Sequence, residues 1–159
     1  MKARVIKGIA ILLMVCSQTV HSKAISLKKV TTAEVKEYMG KGYVVVSGLV
    51  PDLFADCSIP GSINIPGYPV DKKAIRGKAQ ELKGKKLIVH CAGPFCAVSH
   101  FLVTEFLLMN DEAEQRGEEM PFGDILYYNL GIAGWLQAGE KPSEGNKCEA
   151  TYLKTPVKQ

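Results

Sequence analysis

Hydrophobic residues occur along the chain in short blocks, and the spacing within each block predicts its secondary structure. Runs rich in valine, isoleucine, leucine and tyrosine predict buried strands at residues 43–46, 62–65, 86–90 and 125–130. Residues 25–30 predict a shorter strand at the edge of the same sheet. Apolar residues at helical spacing, and short segments between turn signals, predict helices over residues 31–39, 51–55, 71–82, 97–110 and 131–137.

The order of these elements predicts the fold class. Short strands that alternate with helices indicate an α/β fold with a mainly parallel sheet of 4–5 short strands, flanked by helices. Thr31 and Glu34 have the spacing of a capping box and mark the start of the first helix. Residues 111–123 carry six charged side chains and end in two helix breakers, which predicts a solvated surface insertion without regular structure.

The first 24 residues differ from the rest and predict a signal peptide. A basic start with Lys2, Arg4 and Lys7 precedes the apolar run at residues 8–16, and Ser22 and Ala24 are the small residues that a signal peptidase reads. We therefore expect one domain over residues 25–142, followed by a polar tail over residues 143–159.

Two alternatives to cleavage at this site remain open. One is an uncleaved N-terminal anchor, although the apolar run is too short to span a bilayer as a stable helix. The other is lipidation at Cys16, where Leu13 suits a lipobox but Val15 is larger than the residue usually found before such a cysteine. Each case predicts a periplasmic or secreted domain, in a compartment where disulfides persist.

The distribution of charge argues against nucleic acid as a partner. The formal net charge of the chain is +4, and residues 1–24 hold four basic side chains and no acidic one. The remaining residues carry 16 basic and 16 acidic side chains and are therefore neutral. Proteins that bind nucleic acid need a basic face.

The candidate chemistry lies at the end of the strand at residues 86–90. Cys91 follows this strand, residues 92–96 form a tight loop, and a helix starts at Ala97. Ligands of parallel sheets bind at the carboxyl ends of the strands, and amides at a helix start favour an anion. We therefore expect Cys91 to be a reactive thiolate. His90 points to the other side of the strand, where it is expected to be packed or hydrogen-bonded rather than basic to Cys91.

Three further cysteines have expected roles. If the loop folds back on itself, Cys96 comes within disulfide distance of Cys91 and resolves a sulfur adduct there; the alternative is that Cys96 packs into the core. Cys57 and Cys148 lie at the pole of the sheet opposite the loop, which predicts a structural disulfide between them. The spacing of Cys91, Cys96 and His100 is wider than that of a usual zinc knuckle, and we predict no metal or other cofactor.

Three segments resemble rhodanese-like domains. Residues 59–66 read Ile-Pro-Gly-Ser-Ile-Asn-Ile-Pro, residues 87–91 are a strand that ends in a cysteine, and residues 127–139 resemble the family's closing Tyr-Asn-Leu to Ala-Gly segment. The resemblance implies the rhodanese-like doubly wound fold and sulfur transfer through a persulfide on Cys91, between a small sulfur donor and a thiol acceptor. It also implies a substrate-binding loop made of Ala92, Gly93, Pro94, Phe95 and Ala97.

The chain departs from the family pattern in ways that bear on function. Ser47, Gly48 and Leu49 replace the usual Asp-Val-Arg, and no arginine or lysine lies between residues 91 and 110. Thiosulfate is therefore not the favoured donor, and a phosphatase or arsenate reductase is disfavoured because both need an arginine near the end of the loop. Three functions remain: a sulfurtransferase, a thiol–disulfide redox or persulfide-relay protein using Cys91 and Cys96, and a silent binding module.

Overall fold

A computed structural model of the protein describes residues 26–143 and 147–148. In chain order the strands and helices are β1 (Lys28–Lys29), α1 (Thr32–Gly40), β2 (Val44–Ser47), α2 (Pro51–Asp56), β3 (Ile63–Asn64), α3 (Lys72–Ala79), a 3-10 turn (Gln80–Leu82), β4 (Leu87–His90), α4 (Ala97–Gln115), β5 (Ile125–Tyr128) and α5 (Gly131–Gln137). The predicted signal peptide and Cys16 lie outside the described residues, as does most of the predicted polar tail. No helix in the described part is long and apolar enough to cross a membrane.

The five strands form one sheet in the order β1-β5-β4-β2-β3. Every pair is parallel, and His90 at the end of β4 is level with Ser47 of β2 and Tyr128 of β5. The α/β class with a parallel sheet of short strands is thus confirmed. Because all carboxyl ends meet at one edge, the segments that follow β2, β3, β4 and β5 lie beside one another there.

Two apolar clusters cover the two faces of the sheet. Neighbouring residues of one strand enter different clusters: Val45 packs with Trp135 of α5, whereas Val46 packs with Phe106 of α4. Side chains alternate across a strand, so burial on both faces explains why β2, β4 and β5 are apolar at nearly every position rather than at every second one.

Local signals in the sequence account for several element boundaries. Thr31 is the N-cap of α1 and forms a capping box with Glu34, as predicted. Asp71 caps α3 by accepting a hydrogen bond from the amide of Ala74. The bounds of α5 agree with the predicted helix at residues 131–137.

Helix α4 corrects one prediction. It runs to Gln115, so the expectation that residues 111–123 lack regular structure is wrong for residues 111–115. The extra turn is stabilised by tertiary contacts: Ala113 is buried, and the carboxylate of Glu112 accepts two hydrogen bonds from the guanidinium of Arg76 on α3. The charged residues 111–115 therefore continue α4 because Glu112 has its partner, Arg76, on α3.

The pole opposite the loop at residues 91–96 holds the predicted disulfide. Cys57 and Cys148 are bonded, with 4.8 Å between their Cα atoms, which confirms the pairing. Cys57 is fully buried in the cluster that contains Trp135, and Cys148 packs against the same cluster. The amide of Ser143 also donates to the carbonyl of Ser58, so the described part of the tail is held on this pole.

Candidate active site

Strand β4 places Cys91 at the centre of the carboxyl edge. All four residues of β4 are buried, and the strand lies between β2 and β5. The loop that follows folds back on itself, because the amide of Cys96 donates to the carbonyl of Gly93 at 3.0 Å. Cys96 then serves as the N-cap of α4, a helix of 19 residues. The fold therefore brings both predicted site cysteines to the same helix start.

The two thiols form a hydrogen-bonded pair with unequal burial. Cys91 is only 4% exposed, whereas Cys96 is half-buried, and both are free cysteines. Their side chains are joined by a hydrogen bond. A reagent from solution therefore reaches Cys96 more readily than Cys91.

The hydrogen bond between the thiols sets which one ionises. It lowers the pKa of Cys96 to about 6, with help from the amides of Ala92, Val98 and Ser99. The same hydrogen bond, together with burial, raises the pKa of the Cys91 thiol. The direction of these shifts favours the negative charge on Cys96, whereas the sequence led us to expect it on Cys91. The more exposed sulfur at the helix start is the better place for a negative charge.

Amides from both ends of the loop act on the two sulfur atoms. The resemblance implied a substrate-binding loop from Ala92 to Ala97, and its role in holding a persulfide stays a prediction. The amides of Val98 and Ser99, in the first turn of α4, lower the pKa of Cys96, although its sulfur accepts no capping hydrogen bond from them. Ala92 contributes an amide to both cysteines. The anion site is therefore shared between the start of the loop and the start of the helix.

Helix α5 holds the loop from the neighbouring strand. The amide of Ile132 donates to the carbonyl of Cys91, and the amide of Ala133 donates to the carbonyl of Ala92. Gly131 has a φ of +60°, and a Cβ atom there would lie 2.4 Å from the Cys91 carbonyl oxygen. The sequence did not predict these hydrogen bonds from α5 to the loop. The only local signal for them is a glycine directly after the β5–α5 turn.

His90 supports the same peptide from inside the protein. Its Nδ1 atom lies 3.0 Å from the carbonyl oxygen of Cys91, and its Nε2 atom has no hydrogen-bond partner among the described residues. Complete burial lowers the pKa of His90 to about 4, so the ring is neutral at pH 7 and its Nδ1–H donates to this carbonyl. The expectation that His90 is packed and hydrogen-bonded is confirmed. His100 is exposed on α4 and contacts the ring of Tyr127 edge-on.

The mouth of the site is apolar. Phe95, in the middle of the loop, is 83% exposed, and no arginine or lysine lies between residues 87 and 110. Cys57 and Cys148, at the opposite pole, take no part in this site. The arrangement provides a nucleophilic sulfur, a proton donor beside it and amides for a negative charge, but no cation to bind a small oxyanion.

Solved structures of low sequence identity share the fold. A rhodanese-related protein from Thermoplasma volcanium is 26% identical, with a TM-score of 0.51 over 72% of this chain and 96% of that one. Thiosulfate sulfurtransferase from Pseudomonas aeruginosa is 20% identical, with a TM-score of 0.53 over 80% of this chain and 23% of that one. The As–Sb reductase from Leishmania major is 18% identical, with a TM-score of 0.55 over 72% of this chain and 80% of that one.

The last two proteins have different activities, so likeness of fold does not select the chemistry of this site. No curated protein matches the sequence. The family model of the rhodanese-like domain matches residues 31–138, which include the sheet from β2 to β5, the thiol pair and all of α5. The chain therefore belongs to the rhodanese-like domain family.

Proposed function

We propose that the protein is a sulfurtransferase in which Cys91 accepts a sulfur atom and Cys96 resolves the resulting persulfide. The observation that carries this proposal is the loop that folds back at the end of β4 and brings the two thiols together, so that each shifts the pKa of the other. A second cysteine in contact with the first offers a direct route for releasing a bound sulfur.

Sulfur uptake begins with proton transfer within the pair. The Cys96 thiolate accepts the proton of Cys91, and the Cys91 sulfur attacks the outer sulfur of a persulfide donor. The donor's sulfur–sulfur bond breaks, the donor leaves as a thiol with the proton that Cys96 had accepted, and Cys91 carries the persulfide beside a Cys96 that is again a thiolate. The amide of Ala92 and the dipole of α4 favour the negative charge that this step places near the loop.

Two routes then discharge the persulfide. An external thiol that attacks the outer sulfur carries it away as a new persulfide. Alternatively, the Cys96 thiolate attacks the Cys91 sulfur, hydrosulfide leaves, and a Cys91–Cys96 disulfide forms. The second route uses the low pKa of Cys96 directly. An external dithiol then reduces the disulfide and restores the resting pair.

Intact-protein mass spectrometry after mixing with a small persulfide donor tests the proposal. We expect wild type to pass through an adduct of one sulfur atom and to end as a species that has lost two hydrogens. Cys91→Ser should take up no sulfur. Cys96→Ser should take up sulfur and hold it longer, because its resolving thiol is absent.

Thiol–disulfide exchange is a second candidate, supported by the partial exposure and low pKa of Cys96. It predicts that wild type loses two hydrogens, and that neither wild type nor any variant gains a sulfur atom. A protein that changes in neither way is a silent binding module. Equal persulfide lifetimes in wild type and Cys96→Ser would remove Cys96 from the resolving step.

We also propose that the domain is exported. The Cys57–Cys148 disulfide supports this, because such bonds persist in oxidising compartments. The order of basic, apolar and small residues in residues 1–24 is the second support. N-terminal sequencing of the protein from its native host should find a chain that starts near residue 25. A retained Met1 in a soluble cytoplasmic fraction would contradict export.

A further inference from the structure

One polar side chain is fully buried in the apolar strand β4 and takes no part in the proposed sulfur transfer. Leu87, Ile88 and Val89 precede it, and His90 itself is 0% exposed. Its Nε2 atom has no hydrogen-bond partner among the described residues. Burying a polar ring without full hydrogen bonding costs free energy that a leucine at the same place would not cost. A role for His90 beyond packing would explain why the strand carries it.

His90 acts on the peptide group that joins Cys91 to Ala92. Its Nδ1 atom lies 3.0 Å from the carbonyl oxygen of Cys91, and the amide of Ile132 donates to the same oxygen at 3.0 Å. A carbonyl oxygen has two lone pairs, so these two donors satisfy it fully. Rotation of this peptide group would break both hydrogen bonds and leave a buried ring and a buried amide unpaired.

The other side of the same peptide group acts on the sulfur atoms. This peptide is trans and planar, so its N–H points away from its carbonyl oxygen. That N–H belongs to Ala92, whose amide lowers the pKa of both Cys91 and Cys96. Donors on the carbonyl oxygen also strengthen this N–H as a donor, because hydrogen bonds in a chain polarise one another. One rigid group therefore connects the ring of His90 to the thiol pair.

We propose that His90 is a positioning residue for the reactive thiols. By donating to the Cys91 carbonyl, its ring holds the peptide with the Ala92 amide directed at the two sulfur atoms and stabilises negative charge on the pair. The proposal rests on the proposed function only in taking this pair as the reacting group. Its test uses no sulfur donor, so its failure can be told apart from failure of the sulfurtransferase proposal.

The ring of His90 does not act as a base for Cys91. Its hydrogen-bonding nitrogen is committed to a carbonyl oxygen, and the side chains of successive strand residues point to opposite faces of the sheet. On its own face the ring packs beside that of Tyr128, with 6.5 Å between the ring centroids. Burial also keeps the ring neutral at pH 7. His90 therefore works through the peptide rather than by moving a proton.

Two amide variants test which nitrogen position matters. The side-chain nitrogen of asparagine can take the place of Nδ1, whereas that of glutamine reaches the place of Nε2. His90→Asn therefore keeps a donor for the Cys91 carbonyl, and His90→Gln and His90→Leu do not. The measurement is the pH at which alkylation of Cys96 by iodoacetamide reaches half its maximal rate, with peptide mapping to identify the modified residue. His100, on α4, is the same in every protein compared and cannot produce a difference between them.

We expect His90→Asn to keep the wild-type midpoint near pH 6, because the peptide stays in place. His90→Gln and His90→Leu should raise the midpoint by about half a pH unit, since each loses one hydrogen bond that acts on the thiols through a second group. Tyr128→Phe is the matched control. Tyr128 is buried beside His90 and its hydroxyl bonds that of Thr32, so this variant should lose stability without moving the midpoint.

A second measurement needs no variant. Nitrogen-15 histidine spectra of wild type should show His90 as the Nδ1–H tautomer, with a resonance that shifts at the midpoint of Cys96 alkylation. The Nε2–H tautomer, or a resonance that stays fixed while Cys96 ionises, would overturn the proposal. So would equal midpoints in wild type and His90→Leu, equal midpoints in His90→Asn and His90→Gln, or a shift in Tyr128→Phe as large as that in His90→Leu.

Discussion

The carbonyl oxygen of Cys91 lies 2.4 Å from the position that a Cβ atom on Gly131 would occupy. Gly131 has a φ of +60°, so an alanine there meets both a contact that real Cβ atoms do not show and an unfavourable backbone conformation. We expect Gly131→Ala to lower the free energy of unfolding by about 2–3 kcal/mol. It should also slow alkylation of Cys96, because the loop must shift.

Denaturant unfolding and iodoacetamide kinetics check both effects. Gly139→Ala is a useful control, since Gly139 has a φ of +80° but nothing within 4 Å of its Cβ position. It should lower stability without changing the alkylation rate. An alkylation rate that stays unchanged in Gly131→Ala would mean that α5 does not position the loop.

His90 should make stability depend on pH. Its pKa is about 4 in the folded protein and about 6.5 in the unfolded chain, so between these values the unfolded state binds more protons. The stability that depends on a neutral His90 is therefore complete above pH 6.5. As the pH falls from 6.5 to 4, the free energy of unfolding should decrease by about 3 kcal/mol. The variant His90→Asn has an amide that can donate to the Cys91 carbonyl but cannot titrate. As the pH falls through this range, wild type should lose more unfolding free energy than His90→Asn does.

Sequence patterns identified β2, β4 and β5 because each is short, mostly apolar and bounded by turns. Strands β1 and β3 are only two residues long, and they lie inside longer predicted segments. Sequence patterns also located α1, since Thr31 and Glu34 lie three residues apart and their capping box needs no distant partner. The end of α4 was missed for the opposite reason. Glu112 is held by Arg76 and Ala113 by burial, and neither contact has a signal within the helix itself.

The Cys57–Cys148 bond should contribute strongly to stability. It joins residues 91 positions apart, and in the chain-entropy model a loop of this length stabilises the folded state by about 4–5 kcal/mol. We expect Cys148→Ser to lose most of this amount, with a serious loss of folding yield. Peptide mapping of non-reduced wild type should recover the two cysteines as one linked pair, and free thiols at both positions would refute the bond.

The ion pair between Arg76 and Glu105 should contribute more to the free energy of unfolding than the pair between Arg76 and Glu112. Glu105 is 1% exposed and lies 2.6 Å from Nε of Arg76, whereas Glu112, the other partner of Arg76, is 41% exposed. Removing the partner of a buried carboxylate is costly, but Lys72 remains near Glu105. We expect Arg76→Ala to cost about 2–3 kcal/mol of unfolding free energy and Glu112→Ala below about 1 kcal/mol. Equal losses in the two variants would contradict this assignment.

The site could be predicted only in part. Cys91 was placed correctly because a cysteine that follows a buried parallel strand must lie at the carboxyl edge. Which of the two thiols ionises first depends on how the loop folds, and the direction of the pKa shifts favours Cys96. The hydrogen bond from the amide of Cys96 to the carbonyl of Gly93 closes the loop and accompanies contact between the thiols, and spacing alone does not specify it.

The pH dependence of cysteine alkylation tests where the anion lies. In wild type, alkylation of Cys96 should reach half its maximal rate near pH 6, because the thiolate is the reactive form and the pKa of Cys96 is about 6. The largest cause of this low pKa is the hydrogen bond from Cys91. Cys91→Ala removes that donor, so the midpoint should rise towards the ordinary thiol value of about 8.5. Cys91→Ser keeps a hydroxyl donor at the same place, and its midpoint should fall between the other two.

Peptide mapping of the alkylated protein identifies the modified residue at each pH. In Cys96→Ser the free thiol that remains among the described residues is Cys91, which is buried, so its alkylation should be slower than that of Cys96 in wild type. The disulfide-bonded Cys57 and Cys148 do not react without a reductant. Rapid alkylation of Cys91 near pH 6 would place the resting thiolate on the strand-end cysteine instead. Sulfur uptake would then need no proton transfer to Cys96, and Cys96 would keep only the resolving step.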